Sequence, residues 1–373
     1  MFLYDFAFIS PRLPFSANLT PADVPAGFSF KFPFPQTTFV RQATADPSVV
    51  TRLGLVLGRN IGDYRSKDGA AGQWNLSIQS ALATNLTLQA SCVGNHTYHL
   101  WVPTFPNQFL PGSPTRPAPS IGALDFSCNC ATSSYDALQI SLNEKSFHGL
   151  VFDAYYTWGK TLSYGMANGT NNIGNNNVQD VYNFRGSYGP VDGDLRHVFV
   201  LNHSYLLPTA AFAQHSGLGR AFLGGWSLEG IMTKRSGFPL NVLSGLDLVR
   251  NQRITGDRPD LVAGMNPYIR NMSSLLWLNV AAFDNQTPYS NRLYGNLGYN
   301  VLFGPGGFTY DLALHKAFRI TETSTLTFRG EAFNILNHVV FNNPVNTLTS
   351  PQFGQITSGS PGRKVQLALS YAF

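Results

Sequence analysis

Arg363-Lys364-Val365-Gln366-Leu367-Ala368-Leu369-Ser370-Tyr371-Ala372-Phe373 ends the sequence, and its reading decides the fold. Side chains of a strand point alternately to opposite faces. Val365, Leu367, Leu369, Tyr371 and Phe373 therefore share one face, and Lys364, Gln366, Ala368, Ser370 and Ala372 share the other. The stretch has the length of a membrane-crossing strand, about 9–11 residues. A water-soluble sandwich also uses such strands, so the decision rests on whether the pattern recurs.

It does recur. Trp74, Leu76 and Ile78 alternate with Asn75, Ser77 and Gln79, and beyond a turn at Ala83 to Asn85 so do Leu86, Leu88 and Ala90 with Thr87, Gln89 and Ser91. This predicts a hairpin with one apolar face. A second hairpin sets Leu138, Ile140 and Leu142, then a turn at Glu144 to Gly149, then Leu150, Phe152, Ala154, Tyr156 and Trp158 on one face; Val151, Asp153, Tyr155 and Thr157 lie behind. Further strands are predicted over Arg196 to Leu206 and Leu223 to Thr233, with Phe238 to Leu243 as a continuation. The last hairpin before the terminal strand runs through Phe308, Tyr310, Leu312, Leu314, Phe318 and Ile320, then Leu326 and Phe328. Between these strands, short turns alternate with long polar stretches: Pro103 to Ser134, the Asn-rich Leu162 to Asp194 (Asn171, Asn172, Asn175, Asn176, Asn177), Ser244 to Gly307, and a loop through Pro344 and Pro351. About ten strands joined in this uneven way predict an all-β fold, an antiparallel transmembrane β-barrel with short turns at the periplasmic side and long loops outside. Residues 72–373 are assigned to the barrel, and residues 1–71, rich in proline, to an irregular segment at its edge.

Composition agrees with a surface that is not mainly wet. Only 12% of residues are charged, about half the usual ~25%, and aromatics reach 13%. No apolar run approaches the ~18 residues of a spanning helix, so strands must do the crossing. The net charge of +5 is scattered along the chain, with no basic run or nucleic-acid motif, and nucleic acid is excluded as a partner. Cys92, Cys128 and Cys130 have no zinc spacing; the Cys-Asn-Cys pair is read as loop thiols, since a bridge there would be strained. His96 with His99, and Asp194 with His197, are read as polar rim residues. No metal, cofactor or catalytic constellation emerges, and an enzyme is not expected.

The polar face carries the candidate site residues. Asp153, Glu229, Asp311, Arg319, Arg329 and Glu331 are expected to point into a wet lumen, since a charge in a dry core is costly. There they pair across neighbouring strands or touch a ligand or plug. Trp101, Tyr156, Trp158 and Tyr371 are expected in the aromatic girdle. The segment from Met1 to Phe15 has no basic n-region and meets Pro11 and Pro14 early, so an outer-membrane destination is expected as part of a longer exported precursor.

The residues also carry a resemblance. Gln73-Trp74-Asn75-Leu76-Ser77-Ile78-Gln79, Val93-Gly94-Asn95 through His99-Leu100-Trp101, Tyr156-Thr157-Trp158-Gly159-Lys160, Leu223-Gly224-Gly225-Trp226, Ser236-Gly237-Phe238-Pro239, Arg258-Pro259-Asp260-Leu261 and Arg329-Gly330-Glu331-Ala332-Phe333-Asn334 follow one another in order and spacing. Together they resemble the barrel of Oar-like TonB-dependent receptors, common in Acidobacteria. The resemblance implies a 22-stranded, plugged barrel of which this chain is the carboxyl-terminal part, the plug and TonB box having no counterpart in it. It further implies transport of a bulky solute, with TonB and the plug as partners through that amino-terminal part and outer-membrane lipid around the wall. Leu369, Tyr371 and Phe373 resemble the terminal signal read by the outer-membrane assembly machinery. A surface binding or adhesion module, or a passive porin, is the alternative function.

Overall fold

Paired strands of alternating character build one dominant sheet in the computed structural model, which describes residues 16–17, 57–62, 67–104, 106–110, 113–119, 124–164, 178–246, 257–285 and 294–373. Nine long strands form its body: β1 (Ala70–Ala81), β2 (Leu86–Thr104), β3 (Leu124–Phe147), β4 (Leu150–Tyr164), β5 (His197–Leu206), β6 (Trp226–Arg235), β7 (Gly307–Arg319), β8 (Thr325–Phe333) and β9 (Lys364–Ala372). Each pairs antiparallel with the next in sequence, so the order is a simple meander. The short strands Ser16–Ala17, Leu57–Gly62 and Tyr188–Pro190 join the same sheet, and Leu57–Gly62 runs parallel to the start of β3. The segment read as irregular thus contributes two short strands. No helix among the described residues is long and apolar enough to cross a membrane.

Register turns the one-strand alternation into a property of the whole sheet. Residues directly opposite one another share a face. Leu76 faces Cys92, Cys92 faces Leu138, and Leu138 faces Trp158. Leu201 faces Met232, Met232 faces Tyr310, Leu312 faces Ala332, and Ala332 faces Val365. One residue along, Ser77, Ser91, Gln139 and Thr157 form a row, as do Asn143, Asp153 and Asn202. A slip of one residue in any pair would break every row beyond it. The apolar rows are open to the surroundings, with Leu76 at 68% and Leu367 at 72% exposure, which only a lipid environment would make favourable.

Connections follow the predicted alternation. At one end lie residues 82–85, the pair His148–Gly149, residues 207–225 and residues 320–324; at the other lie the four long loops. His148 and Gly149 both have positive φ, 48° and 85°, as a tight two-residue hairpin of primed type requires. The strands therefore continue to Phe147, past a bulge after Glu144, where the sequence predicts a wider turn.

Three other expectations are corrected: the loop from Pro103 to Ser134, the continuation over Phe238 to Leu243, and the reading of Cys128 and Cys130 as loop thiols. The stretch from Pro103 to Ser134 is not all loop, because β3 already starts at Leu124 and pairs with β2 through Val102, Pro103 and Thr104. β2 and β3, at 19 and 24 residues, exceed the ~9–11 residues a membrane needs. Their outer parts bury Val102, Cys128 and Ala131 against Val178, and register shifts between Thr97 and Val102 separate this cluster from the apolar rows. Phe238 to Leu243 does not continue β6. Pro239–Leu240 pairs instead with Leu302–Phe303, because a Cβ on Gly237 would come within 1.8 Å of the Gly304 carbonyl oxygen. Only glycine allows that close crossing. Cys128 and Cys130 lie on β3 and are joined by a disulfide across a Cα–Cα distance of 5.2 Å, while Cys92 is free and exposed. A register shift sets Asn129 and Cys130 together opposite Trp101, and such a bulge brings the two cysteines closer than the roughly 6.6 Å of a regular strand.

Leu312 and Ala313 offer a direct test of the two faces, since Ala313 stands in register between Glu229 and Glu331. Leu312→Arg is expected to destabilise the protein folded in vesicles by about 2–4 kcal/mol, as a cation on a lipid face does. Ala313→Arg is expected to cost little. Urea titration of the two variants checks this, and equal losses would refute the facing.

Candidate functional site

At the long-loop end, loop segments pack into a body of their own. Three two-stranded ladders build it: Pro239–Leu240 with Leu302–Phe303, Asp260–Leu261 with Phe283–Asp284, and Tyr268–Asn271 with Leu276–Leu278. Their apolar residues form the largest buried cluster among the described residues: Leu240, Val242, Leu278, Ala282, Phe283, Leu297, Leu302 and Phe353. Phe283 meets Phe353 edge to face at 5.4 Å. The loop after β8 is stitched in by Asn343 donating to the Pro239 carbonyl (3.0 Å) and Asn346 to that of Asn241 (2.7 Å).

A polar network ties the earlier loops to this body. Arg258 is 3% exposed. Its Nε donates to the Leu297 carbonyl and its Nη2 to that of Gly186, each at 2.8 Å, and its backbone N–H donates to Gln179 Oε1 at 3.2 Å. Gln179 in turn donates to the Gly295 carbonyl (3.3 Å), and the Gln108 amide donates to the Tyr294 hydroxyl. Tyr299 and Asn300 both donate to Asp192 Oδ1, at 3.1 and 2.7 Å. The Arg258 guanidinium thus joins two stretches of sequence to its own, and Gln108 links a further one through Tyr294. Burial lowers the Arg258 pKa to about 10, against the partial support of Tyr299 and Asp257. Burial pushes the Tyr294 phenol up to about 12, and burial together with Asp192 raises Tyr299 further.

The six residues expected in the lumen all fall on the polar face by register, yet they do not converge on one point. Asp153 accepts from Asn143 on the neighbouring strand at 2.6 Å. Glu331 pairs with Arg329 two residues away and accepts from Gln366 across to β9. Glu229 accepts from Ser227 at 3.4 Å, and Asp311 from the Asn334 backbone N–H at 2.7 Å. Arg319 sits beside the short turn, opposite Thr325. The arrangement is a polar lining with local pairs.

Neither polar pair singled out in the sequence forms a working dyad. Asp194 holds Arg196 at 3.5 Å and accepts from the Thr161 backbone N–H at 2.6 Å. His197 bonds instead to the Tyr156 hydroxyl at 2.8 Å. His96 stacks on Tyr98, and His99 meets the Asp68 carbonyl at 3.1 Å. Among the described residues no group of three or more metal-ligating side chains is found. Trp101, Trp158 and Tyr371 are each about half exposed (51%, 53% and 54%), while Tyr156 is the ring committed to His197. The Asn-rich run from Asn171 to Asn177 lies outside the described residues.

The cap around Arg258 escaped the sequence reading because its residues have no period. The available signal was the three charges of Asp257-Arg258-Pro259-Asp260, close together within the loop.

Comparison with known proteins gives three findings. A family model described as "Outer membrane beta barrel domain" matches residues 4–366. Among solved structures, the outer membrane transporter YddB from Escherichia coli is similar at 11% identity and a TM-score of 0.44, over 84% of this chain and 34% of its own. The ferric preacinetobactin receptor BauA from Acinetobacter baumannii is similar at 12% identity and 0.41, over 81% and 29%, and the siderophore receptor PiuA from the same organism at 11% and 0.41, over 81% and 28%. The chain spans about a third of the length of these structures. A search of curated proteins gives no match.

Two outcomes are expected for the cap. Arg258→Ala removes the shared donor of two loops, so amide exchange is expected to rise across residues 178–190, 257–285 and 294–300 while the strands stay protected. Exchange unchanged in the loops would refute the network. In a titration followed at 295 nm, Tyr294 is expected to ionise only as pH climbs towards 12, later than exposed tyrosines near 10. Because its folded pKa is raised, its contribution to stability is whole below pH 10 and is lost on rising through that window; Tyr294→Phe is expected to remove the late step.

Proposed function

Because the chain belongs to the outer membrane beta barrel domain family, we propose that it forms part of the wall of an Oar-like TonB-dependent transporter for a bulky solute, and that it is not an enzyme. Its place is the outer membrane. The observation that carries the transport reading is the combination of a polar sheet face with a folded cap at the long-loop end.

That polar face is built largely of short side chains, among them Ser77, Ser91, Ser141, Ala313, Ala317, Ala368 and Ser370. A small closed barrel fills its interior with side chains, whereas a wide one leaves room for a plug or solute. Short residues suit the second case. Within the described residues, β1 pairs only with β2 and β9 only with β8. Open edges in lipid are costly, which supports further strands in the working barrel. In this reading Asp153, Glu229, Asp311, Arg319, Arg329 and Glu331 form the lining that the plug and solute meet. The exposed row of Leu369, Tyr371 and Phe373 is the segment read by the assembly machinery.

A second reading is favoured by the cap, whose own hydrophobic cluster suits a surface binding module anchored by the strands. One pair of measurements separates them. A full-length protein that carries the amino-terminal plug and TonB box is expected to be retained by the periplasmic domain of TonB and to give no steady conductance in a planar bilayer. No retention with open conductance would indicate a porin; neither retention nor conductance would indicate the binding module.

The terminal strand gives a further expectation. Deleting Phe373 is expected to lower outer-membrane levels several-fold, read from the heat-modifiable band on gels. Unchanged levels would remove the assembly role.

A further inference from the structure

At the short-turn end three connections are tight, and the β5–β6 connection, residues 207–225, is the exception. It folds into two short helices, α1 (Ala211–Gln214) and α2 (Gly217–Leu223). It is ordered by its own bonds. Ser216 Oγ accepts from the Gly219 N–H at 2.7 Å, Gln214 donates to the Thr209 carbonyl at 2.9 Å, and the Leu207 N–H donates to the Trp226 carbonyl at 2.8 Å. Yet its large apolar side chains point outward. Phe212 is 77% exposed, Leu218 75% and Phe222 61%. An ordered segment that presents its apolar side chains to its surroundings marks an interaction surface.

The neighbouring side chains indicate what covers it. Phe222 lies 6.0 Å from Phe318, and Trp226 lies 6.4 Å from Phe318 and 5.9 Å from Phe328, edge to face. Trp226, Phe318 and Phe328 belong to the apolar face, in register with Lys316, Leu326 and Leu369. The connection is fastened to that face twice more: the Trp226 indole N–H donates to the Phe222 carbonyl at 2.9 Å, and Lys316 Nζ donates to the carbonyl of Gly224. The helices therefore sit against the lipid side of the wall and continue its apolar surface. Residues 207–225 contain Arg220 and His215 but no acidic residue, a composition suited to phospholipid headgroups.

We propose that this connection is a membrane-surface anchor, in which α1 and α2 lie on the periplasmic phospholipid leaflet with Phe212, Leu218 and Phe222 at the acyl-chain boundary. Leu218 and Phe222, four apart, share a face of α2, and Arg220 points the other way. A girdle residue usually lies on a strand; here Phe222 extends the girdle sideways from Trp226 and Phe318. The inference rests on the lipid facing of the sheet and is independent of whether the protein transports anything.

Spin labels test it in the native protein reconstituted into phosphatidylethanolamine and phosphatidylglycerol vesicles, on a Cys92→Ala background. A nitroxide on Leu218→Cys is expected to favour collision with oxygen over a water-soluble nickel complex several-fold more than one on Arg220→Cys. Phe212→Cys repeats the measurement from α1 should either variant fail to assemble. Equal, nickel-favoured accessibility at all positions would overturn the proposal by placing the segment in water. A Leu218 label shielded from both reagents would overturn it in favour of a protein partner or a second copy.

Discussion

Everything in this fold depends on the pairing of backbone N–H and C=O groups between neighbouring strands. In lipid no water can satisfy them, and each unpaired group costs several kcal/mol. Pairing must therefore be continuous, and continuous pairing fixes register. Fixed register in turn aligns side chains into rows, so that Leu138 and Trp158, or Leu312 and Ala332, share a face. The division into an apolar and a polar face follows from the backbone's need, and the sequence only has to respect it. It does so on most of β1 to β9, and two of the exceptions are visibly partnered. Lys316, on the apolar face, finds the Gly224 carbonyl and the Phe318 ring. His203 finds the Tyr310 hydroxyl at 2.8 Å, and this bridge passes over Gly230, where a Cβ would come within 2.4 Å of the imidazole.

The cap obeys a different constraint. Outside the membrane the backbone can bond to water, so the loops need no ladder and are free to be irregular. What holds them is a small apolar cluster and a few polar side chains with several donors each. Arginine suits the central place because its planar fork serves several acceptors from one fixed position. Arg258 meets carbonyls of two different loops. Such a centre is costly to bury, as its lowered pKa reflects, and it is retained where it joins segments far apart in sequence.

This difference explains what was legible in the sequence. Trp74, Leu76 and Ile78, or Phe308, Tyr310 and Leu312, could be read because lipid on one side and water on the other impose a period of two. The turn chemistry at His148-Gly149 was legible only as a region, since the bulge after Glu144 that lets the strands run on leaves no mark in the periodicity. The outer parts of β2 and β3 were missed because register shifts between Thr97 and Val102 interrupt the alternation, and because what buries Val102, Cys128 and Ala131 is Val178, a residue of a later loop. Of the cap, only short motifs such as Ser236-Gly237-Phe238-Pro239 and Arg258-Pro259-Asp260-Leu261 were legible, and its architecture was not. Its ladders are two to four residues long, shorter than any window in which alternation can be counted, and its contacts join residues more than a hundred positions apart, such as Asn346 and Asn241. The lumen candidates fall between these cases. Their face could be inferred from periodicity, whereas their partners, such as Gln366 for Glu331, depended on register.

Lys316 shows how far one deviation can reach. A lysine in a row otherwise made of Tyr310, Leu312, Leu314 and Phe318 reads as an error in the pattern. Near the end of a strand, however, a long cationic side chain can extend along apolar surface and place its ammonium at the polar boundary. The acceptor it reaches is a carbonyl at the end of α2, where unpaired carbonyls leave a partial negative charge. The lysine is thereby satisfied, and the helix end is satisfied with it. Holding Gly224 against the wall also holds Phe222 beside Phe318 and Trp226. One cation on the apolar face thus explains why the β5–β6 connection is ordered against the outside of the sheet, where a plain turn would have closed the hairpin.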